Sequence, residues 1–398
     1  MESLKLNNYN NTIKMKIITK IISIILFIFL SGTSTTLYSS EKIKLGLLVP
    51  ITGTNAEIGK SIIKASRMAI NKINYPNLEI IPKDTGSNPN KTFLSANELK
   101  EEGVKIVIGP VFQNNLTLLD ELNEMTFLSL TNKNYKNPKN IISLGINAES
   151  QINTINNFLK NENLNNTLIL IPNNDFKNEI DHALRNVQIK YKKKSYYDTS
   201  PTKITRQIQK FTNYDRRKQN LNDEIIRVEN SNDNNKEKKI EQLKKKDTLG
   251  RVGYDSIIIC DFDENLISIA TSLLYSDVSS KKIKFIALNQ WFDDKLVKEK
   301  SIHPLYFPSI SLDKFENFKN DFRNIFNEDP THLSLISYDL IGLIYYLASQ
   351  NNFTIDMKIF QKKNKFKGMV GVFEINRNKI THILNFYEIN NQGFKKIF

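Results

Sequence analysis

Residues 42–74, KIKLGLLVPITGTNAEIGKSIIKASRMAINKIN, decide how this chain folds. KIKLGLLVP (42–50) is a nearly continuous apolar run closed by proline, the pattern of a strand buried on both faces. Thr54 and Glu57 stand at capping-box spacing, with Thr54 as N-cap and Glu57 at N3. The helix that follows is expected to reach Ile73, with Ile58, Ile62, Ala65, Met68 and Ala69 on one face. A buried strand feeding an amphipathic helix is the first half of a βαβ unit. It predicts a parallel sheet covered by helices.

The same grammar repeats downstream. LEIIPKDT (78–85) reads as a strand, and Asn88-Pro89 opens a helix with proline at N1. KIVIGP (105–110) is a short buried strand, VFQNNLTLLDELNEM (111–125) is expected to be helical, and TFLSLT (126–131) is the next strand. A second set follows, with helices over 148–160 and 176–186 and strands over 167–173, 189–198, 254–262 and 283–291. Residues 333–349 form a strongly apolar helix, and MVGVFEI with KITHILNFYEI reads as a terminal hairpin. Two such sets predict an α/β protein of two doubly wound lobes. Ligands of such sheets sit beyond the C-terminal ends of the strands, where helix N-termini offer free N–H groups.

Residues 202–249 break the rhythm. Ile204, Ile208 and Phe211 mark one helical stripe, Leu221, Ile225 and Val228 a second, and Ile240 and Leu243 a third, with the polar turn NSNDNN at 230–235. The reading is a charged helical hairpin inserted between two strands. It is either a solvated excursion or a docking surface for a protein partner or anionic envelope material.

Charge supports that emphasis. The chain has 398 residues and a net charge of +14, of which residues 1–40 carry +3 and residues 186–251 carry +9. The remainder is nearly neutral, so the excess is local and nucleic-acid binding is not expected. Lys far outnumbers Arg amid abundant Asn and Ile, a bias that an A/T-rich genome also produces. Apolar content of 40% and charged content of 25% exclude wholesale disorder and a polytopic membrane protein. A single Cys excludes an intrachain disulfide framework and a CxxC zinc site.

Lys14, Lys16 and Lys20 precede an apolar run over 21–30 and then SGTSTT (31–36), the order of a secretory signal. The run is short for a transmembrane helix, which needs about 20 apolar residues. Residues 1–40 are therefore expected to be a signal peptide, with an uncleaved anchor as the alternative. Met15 is a possible start, and cleavage is expected between Ser34 and Ser40. No Cys follows the apolar run, so a lipoprotein is not expected. The protein should work in a bacterial periplasm.

Catalytic patterns are sparse. His182, His303, His332 and His382 show no metal-ligand spacing, no GxSxG appears, and Cys260 lies inside the apolar run IIIC. GTNAEIGKS (53–61) approaches a phosphate-binding loop, but five residues separate its glycines where four are needed. Asp261, Asp263 and Glu264 read as capping and first-turn acids that complement a helix dipole. No enzyme activity, metal or cofactor is expected.

The opening stretch, with KIVIGPVF and the closing FKGMVGVFEINRNKITHILNFYEI, resembles the type I periplasmic binding proteins of the leucine-binding kind. The resemblance spans residues 42–398 apart from 202–249. It implies two lobes joined by three crossings around an interlobe cleft, with 42–146 plus 306–355 as lobe one and 147–305 plus 356–398 as lobe two. Positions matching the family's ligand turns are Thr52, Gly53, Val111, Phe112, Gln113, Thr131 and Asn132 in the first lobe. In the second they are Asn174, Asp261, Phe262, Asn289, Gln290 and Trp291. The turn VFQNN replaces the family's usual hydroxyl-rich turn, and Asn174-Asp175-Phe176 replaces its Tyr-Gly pair. ALNQWFDDKLVKEK and FENFKNDFRNIFNEDPTHLSLISYDLIGLIYYL are similar to the bacterial penicillin-binding protein activators. The resemblance implies one of two roles. The first is regulation of a peptidoglycan synthase, with or without a small polar ligand in the cleft. The second is delivery of an amino acid or similar solute to the membrane subunits of an ABC importer.

Overall fold

A computed structural model describes residues 42–398 except 135, 136, 354, 356, 377 and 378, together with Met15. The signal peptide expected over residues 1–40 falls, Met15 apart, outside the described residues.

The opening stretch forms strand β1 (Ile43–Val49) and helix α1 (Ala56–Ile73). Leu45, Leu47, Leu48 and Val49 are wholly buried, as a strand covered on both faces requires. The capping box does not form: Asn55 is the N-cap of α1 and makes no side-chain cap bond. The turn is fastened across the fold instead. Asp84 accepts the N–H groups of Ile51 (2.7 Å) and Thr52 (3.2 Å), and the Asn55 amide donates to Ser87 Oγ (3.0 Å). These bonds to the end of the next strand satisfy the turn's donors better than a local cap.

Strand β2 (Leu78–Asp84) leads to α2 (Pro89–Glu101), where Asn88 caps the Lys91 N–H at 3.0 Å and Pro89 occupies N1. Strands β3 (Ile106–Ile108), β4 (Thr126–Ser129) and β5 (Ile141–Ser143) complete a parallel sheet of order β2-β1-β3-β4-β5. The helix expected over 111–125 is absent. Two 3-10 turns, Gln113–Leu116 and Leu119–Glu121, take its place.

The second lobe begins with α3 (Ala148–Asn161), β6 (Thr167–Pro172), α4 (Lys177–Val187), β7 (Lys193–Tyr197) and α5 (Pro201–Phe211). Helices α6 (Tyr214–Glu229) and α7 (Lys236–Lys244) then project before β8 (Ser256–Ile259), α8 (Asp263–Tyr275), β9 (Lys284–Ala287), α9 (Asp294–Lys298) and β10 (Leu305–Ser309). Helices α10 (Leu312–Phe326) and α11 (His332–Ser349) follow, and α11 packs along α1. The chain ends in β11 (Asn364–Lys367), β12 (Val372–Asn376), β13 (Lys379–Ile383), β14 (Asn385–Asn390) and β15 (Gly393–Lys396). The second sheet has the order β15-β14-β10-β9-β8-β6-β7, and β11-β12-β13 form a small antiparallel sheet of their own.

Three details differ from the sequence reading. Strand β10 lies wholly in the second sheet, so the chain leaves that lobe after Ser309, not at residue 306. The terminal stretch KITHILNFYEI divides at Leu384: β13 pairs with β12, whereas β14 pairs with β10. The inserted element starts at Asn213, because Ile204 and Ile208 of α5 join the main core.

The α6–α7 hairpin has a small core of Leu221, Val228 and Leu243, with Ile225, Ile240 and Leu249 partly buried around it. Arg217, 4% exposed, fastens its base. The guanidinium donates to Ser276 O (2.5 Å), Thr248 Oγ1 (2.8 Å), Thr212 O (3.2 Å) and Asp277 O (3.4 Å). Ser276 and Asp277 close α8, where unpaired carbonyls favour a cation.

Candidate functional site

The C-terminal ends of strands from both sheets face a cleft of about 390 Å³. In the first lobe the turn after β3 supplies Val111, Phe112 and Gln113, and the turn after β4 supplies Thr131, Asn132 and Lys133. The second lobe adds Asp175 after β6, Phe262 after β8, and Asn289 and Trp291 after β9. The start of α11 contributes His332, Leu333 and Ile336. In open α/β sheets ligand crevices lie outside the carboxyl ends of the strands, where these turns are.

Trp291 is the best-defined feature of the cleft. Its ring stacks on His332 with centroids 4.7 Å apart and planes 26° from parallel. The stack therefore joins the second sheet to α11, the helix packed on the first lobe. Trp291 and Phe292 both have left-handed backbones, with φ of 49° and 59°, a rare conformation for bulky side chains. It is held by an Asx turn: Asn289 Oδ1 accepts the Trp291 N–H (3.1 Å) and the Ser309 hydroxyl (2.8 Å), while Gln151 Oε1 accepts the Asn289 N–H (2.8 Å). His332 faces the cleft, yet loss of solvent around its ring holds its pKa below the usual histidine value, with Asp263 opposing.

Gln113, Thr131, Gln151 and Asn289 of the cleft are engaged with each other, with backbone or with residues behind the wall. Gln113 donates to Asn137 (3.3 Å) and accepts from the Thr131 hydroxyl (3.5 Å). Thr131 Oγ1 also accepts the Lys133 N–H (3.2 Å).

Of the residues expected at a ligand site, the structure brings Val111, Phe112, Gln113, Thr131, Asn132, Phe262, Asn289 and Trp291 together around the cleft. Five lie off its walls. Thr52 and Gly53 are exposed, and the Thr52 hydroxyl donates to Asp84 at 2.5 Å. Asn174 turns back to accept the Phe176 N–H (2.9 Å), leaving Asp175 on the wall. Asp261 is buried behind the wall, where it accepts the Tyr197 hydroxyl (2.5 Å) and the Phe262 N–H (2.9 Å). Burial raises its pKa, although Tyr197, Phe262 and Asn265 stabilise the anion. Gln290 is buried and donates to Leu288 O (3.0 Å) and Asp261 O (3.3 Å).

The sequence reading missed Gln151, Asp175, Lys133 and His332 as cleft residues. His332 carried a signal: it immediately follows Pro330-Thr331, at the start of the strongest apolar helix, and helix starts face the crevice in such folds.

Among the described residues no cluster of three His, Cys, Asp or Glu side chains has metal-binding geometry, and no helix is long and apolar enough to cross a membrane. Cys260 is fully buried, and desolvation pushes its thiol well above the usual range, so it is not poised as a nucleophile. His382 is buried with its Nε2 against Leu144 O (3.1 Å), and burial lowers its pKa to about 4.

Residues 42–212 match the family model of periplasmic binding proteins. No curated protein sequence matches the chain. Among solved structures, the C-domain of LpoA from Haemophilus influenzae, a regulator of PBP1A, aligns with a TM-score of 0.59 and 14% identity, covering 89% of this chain and 100% of that one. The leucine-binding protein LivK from Thermotoga maritima aligns with a TM-score of 0.56 and 14% identity, covering 89% and 98%. LivJ from Streptococcus pneumoniae, solved with isoleucine, aligns with a TM-score of 0.54 and 14% identity, covering 89% and 98%. The chain has the type I periplasmic binding protein fold, which regulators and solute receptors share.

Proposed function

We propose that this chain is an exported, non-enzymatic binding-fold protein that regulates peptidoglycan synthases in the manner of the penicillin-binding protein activators. The observation that carries this reading is the cleft's chemistry. Gln113, Thr131, Asn289 and Gln151 are engaged with one another or with backbone, where an amino-acid receptor presents hydroxyls and amides to its ligand. The fold alone supports the regulator and the receptor equally. The projecting α6–α7 hairpin gives a regulator a surface away from the cleft, and the signal-like residues 1–40 would deliver it to the periplasm.

A second reading, a solute receptor of an ABC importer, is favoured by one feature. The Trp291–His332 stack, with Lys133 and Asp175 on the same walls, offers an aromatic platform between opposite charges. A small zwitterion suits that arrangement.

A thermal-shift screen of amino acids, peptides and cell-wall fragments separates the two. A receptor should gain about 2.7 kcal/mol at a hundredfold excess of ligand over its dissociation constant, and Trp291→Ala should remove that gain. The regulator reading expects no shift with any free amino acid at micromolar concentration, together with capture of a peptidoglycan synthase. It also expects removal of residues 221–243 to abolish capture while the fold persists. A clear shift with one amino acid, abolished in Trp291→Ala, would overturn the reading as a regulator only, and failure to capture a synthase would overturn the regulator role itself.

A further inference from the structure

The largest cavity described lies far from the cleft, between the base of the α6–α7 hairpin and the N-terminal edge of the second sheet. It measures about 900 Å³ and is walled by the segment joining α7 to β8. Lys246, Arg251 and Lys282 line it, all exposed, and none of their side chains has a hydrogen-bond or ion-pair partner among the described residues.

The other charges of the groove, Asp247 apart, are committed. Lys245 pairs with Glu241 (2.7 Å), and Lys192 donates to Gly253 O (2.8 Å). Arg217 is taken up by carbonyls and Thr248. Asp255 accepts the N–H groups of Asn165 (3.0 Å) and Asn166 (3.0 Å), and Asp277 accepts the Thr248 hydroxyl (2.5 Å). Asp247 is the one lining carboxylate with no such partner among the described residues. The uncommitted charge is therefore positive.

The backbone adds donors. Gly250 and Gly253 take φ of 113° and 83°, bending the wall in a way that L side chains rarely allow. Between Leu249 and Asp255, whose N–H groups bond Arg217 O and Asn166 O, the N–H groups of residues 250–254 have no acceptor among the described residues. Half-buried Val252 and Tyr254 interleave apolar surface with this charge.

We propose that this groove binds an acidic peptide segment of a partner protein, with carboxylates on Lys246, Arg251 and Lys282 and an apolar side chain against Val252 and Tyr254. The volume lies near the upper end of the roughly 300–1,000 Å³ of small-ligand pockets, far more than a lone anion fills. A planar bilayer does not follow a concave wall, and its lipid headgroups would not pair in register with a run of backbone donors. A peptide does both, and charge complementarity supplies its attraction. The inference stands whichever reading of the interlobe cleft holds.

The test uses the full chain and a fluorescently labelled decapeptide of glutamates interrupted by two leucines, read by anisotropy at low and high salt. Binding is expected at low salt, weakening with added salt, at least tenfold weaker for the glutamine-for-glutamate peptide, and at least tenfold weaker for K246E/R251E/K282E. The milder K246Q/R251Q/K282Q, checked by circular dichroism, guards against loss of fold and should weaken binding in the same direction. Equal binding to wild type and both variants, or to both peptides, overturns the proposal. So does absence of peptide binding when phosphatidylglycerol vesicles sediment the wild type and not the variants, which would assign the groove to membrane.

Discussion

Gly59→Ala is expected to lower the unfolding free energy by about 3 kcal/mol. The sign is the test, because helix propensity alone predicts a gain of about 1 kcal/mol for this change inside a helix. A Cβ at Gly59 would lie 1.9 Å from the carbonyl oxygen of Pro50 and 2.6 Å from its carbonyl carbon. Neither side can yield cheaply. Pro50 directly follows β1, which is held between β2 and β3, and α1 is fastened to α11 by the Ser61–Ser334 and Ser66–Ser337 hydroxyl pairs, each 2.7 Å apart. Gly59 therefore lets α1 lie against the end of β1. Lys60, beside it, is exposed and pairs with Glu57 at 3.0 Å. Lys60→Ala should change stability by no more than about 0.5 kcal/mol. Urea unfolding followed by circular dichroism measures both. Gly59→Ala at or above wild-type stability would show that the approach is not tight.

The same glycine shows where sequence reading stops. The pair Gly59-Lys60 gave the chain its likeness to a phosphate loop, but the fold uses the glycine for packing and leaves the lysine on the surface. The strands were legible because continuous apolar runs such as IKLGLLV and TLILIP have one stable placement, inside a doubly covered sheet. Residues 111–125 misled because Leu116, Leu119 and Leu122 look helical at short range. Their spacing of three is the 3-10 period, and all three are buried in the same cluster. The Asn140 amide, donating to Leu119 O (2.8 Å) and Leu122 O (3.1 Å), takes up carbonyls that a continued helix would have used. At Leu384 the inside-outside alternation of β13 continues through Leu384 into Phe386, so burial periodicity gave no warning at the point where the strand changes sheets.

The candidate cleft was half legible for a related reason. Residues that follow a strand directly, such as Phe112, Thr131 and Phe262, could be placed by finding the strand's end. His332 stands 41 positions from Trp291, and only packing of α11 on α1 brings the two rings together. Asp84 was not singled out at all, although the turn carrying Thr52 and Gly53 hangs from it. A lone acid at a strand end has no sequence signature until its donors are known.

Asp84→Asn is expected to cost about 3 kcal/mol at pH 7 and progressively less as pH falls below about 4. Besides Ile51 and Thr52, the carboxylate accepts the Gly86 N–H (2.9 Å), the Thr52 hydroxyl (2.5 Å) and the Lys91 ammonium (2.5 Å). Partial burial alone would raise its pKa, but these donors prevail and hold it well below the usual carboxylate range. A depressed folded pKa means stability fully present above the unfolded value and lost as pH falls through the folded one. Asp339 has the opposite sign. It is 4% exposed beneath Gly368, and desolvation raises its pKa to about 6, against the N–H groups of Met369 and Val370 and the charge of Lys314. Its native state keeps a proton that the unfolded chain gives up. Its contribution is therefore full below about pH 4 and falls by roughly 3 kcal/mol as pH rises through 6. Subtracting each variant's pH–stability curve from wild type isolates the two. The Asp84→Asn difference should open between pH 2 and 4, with wild type gaining as pH rises. The Asp339→Asn difference should change between pH 4 and 6, with wild type losing. A flat Asp84→Asn difference would detach the turn from this carboxylate, and a flat Asp339→Asn difference would mean that the crossing between α11 and the small sheet does not bury a charge.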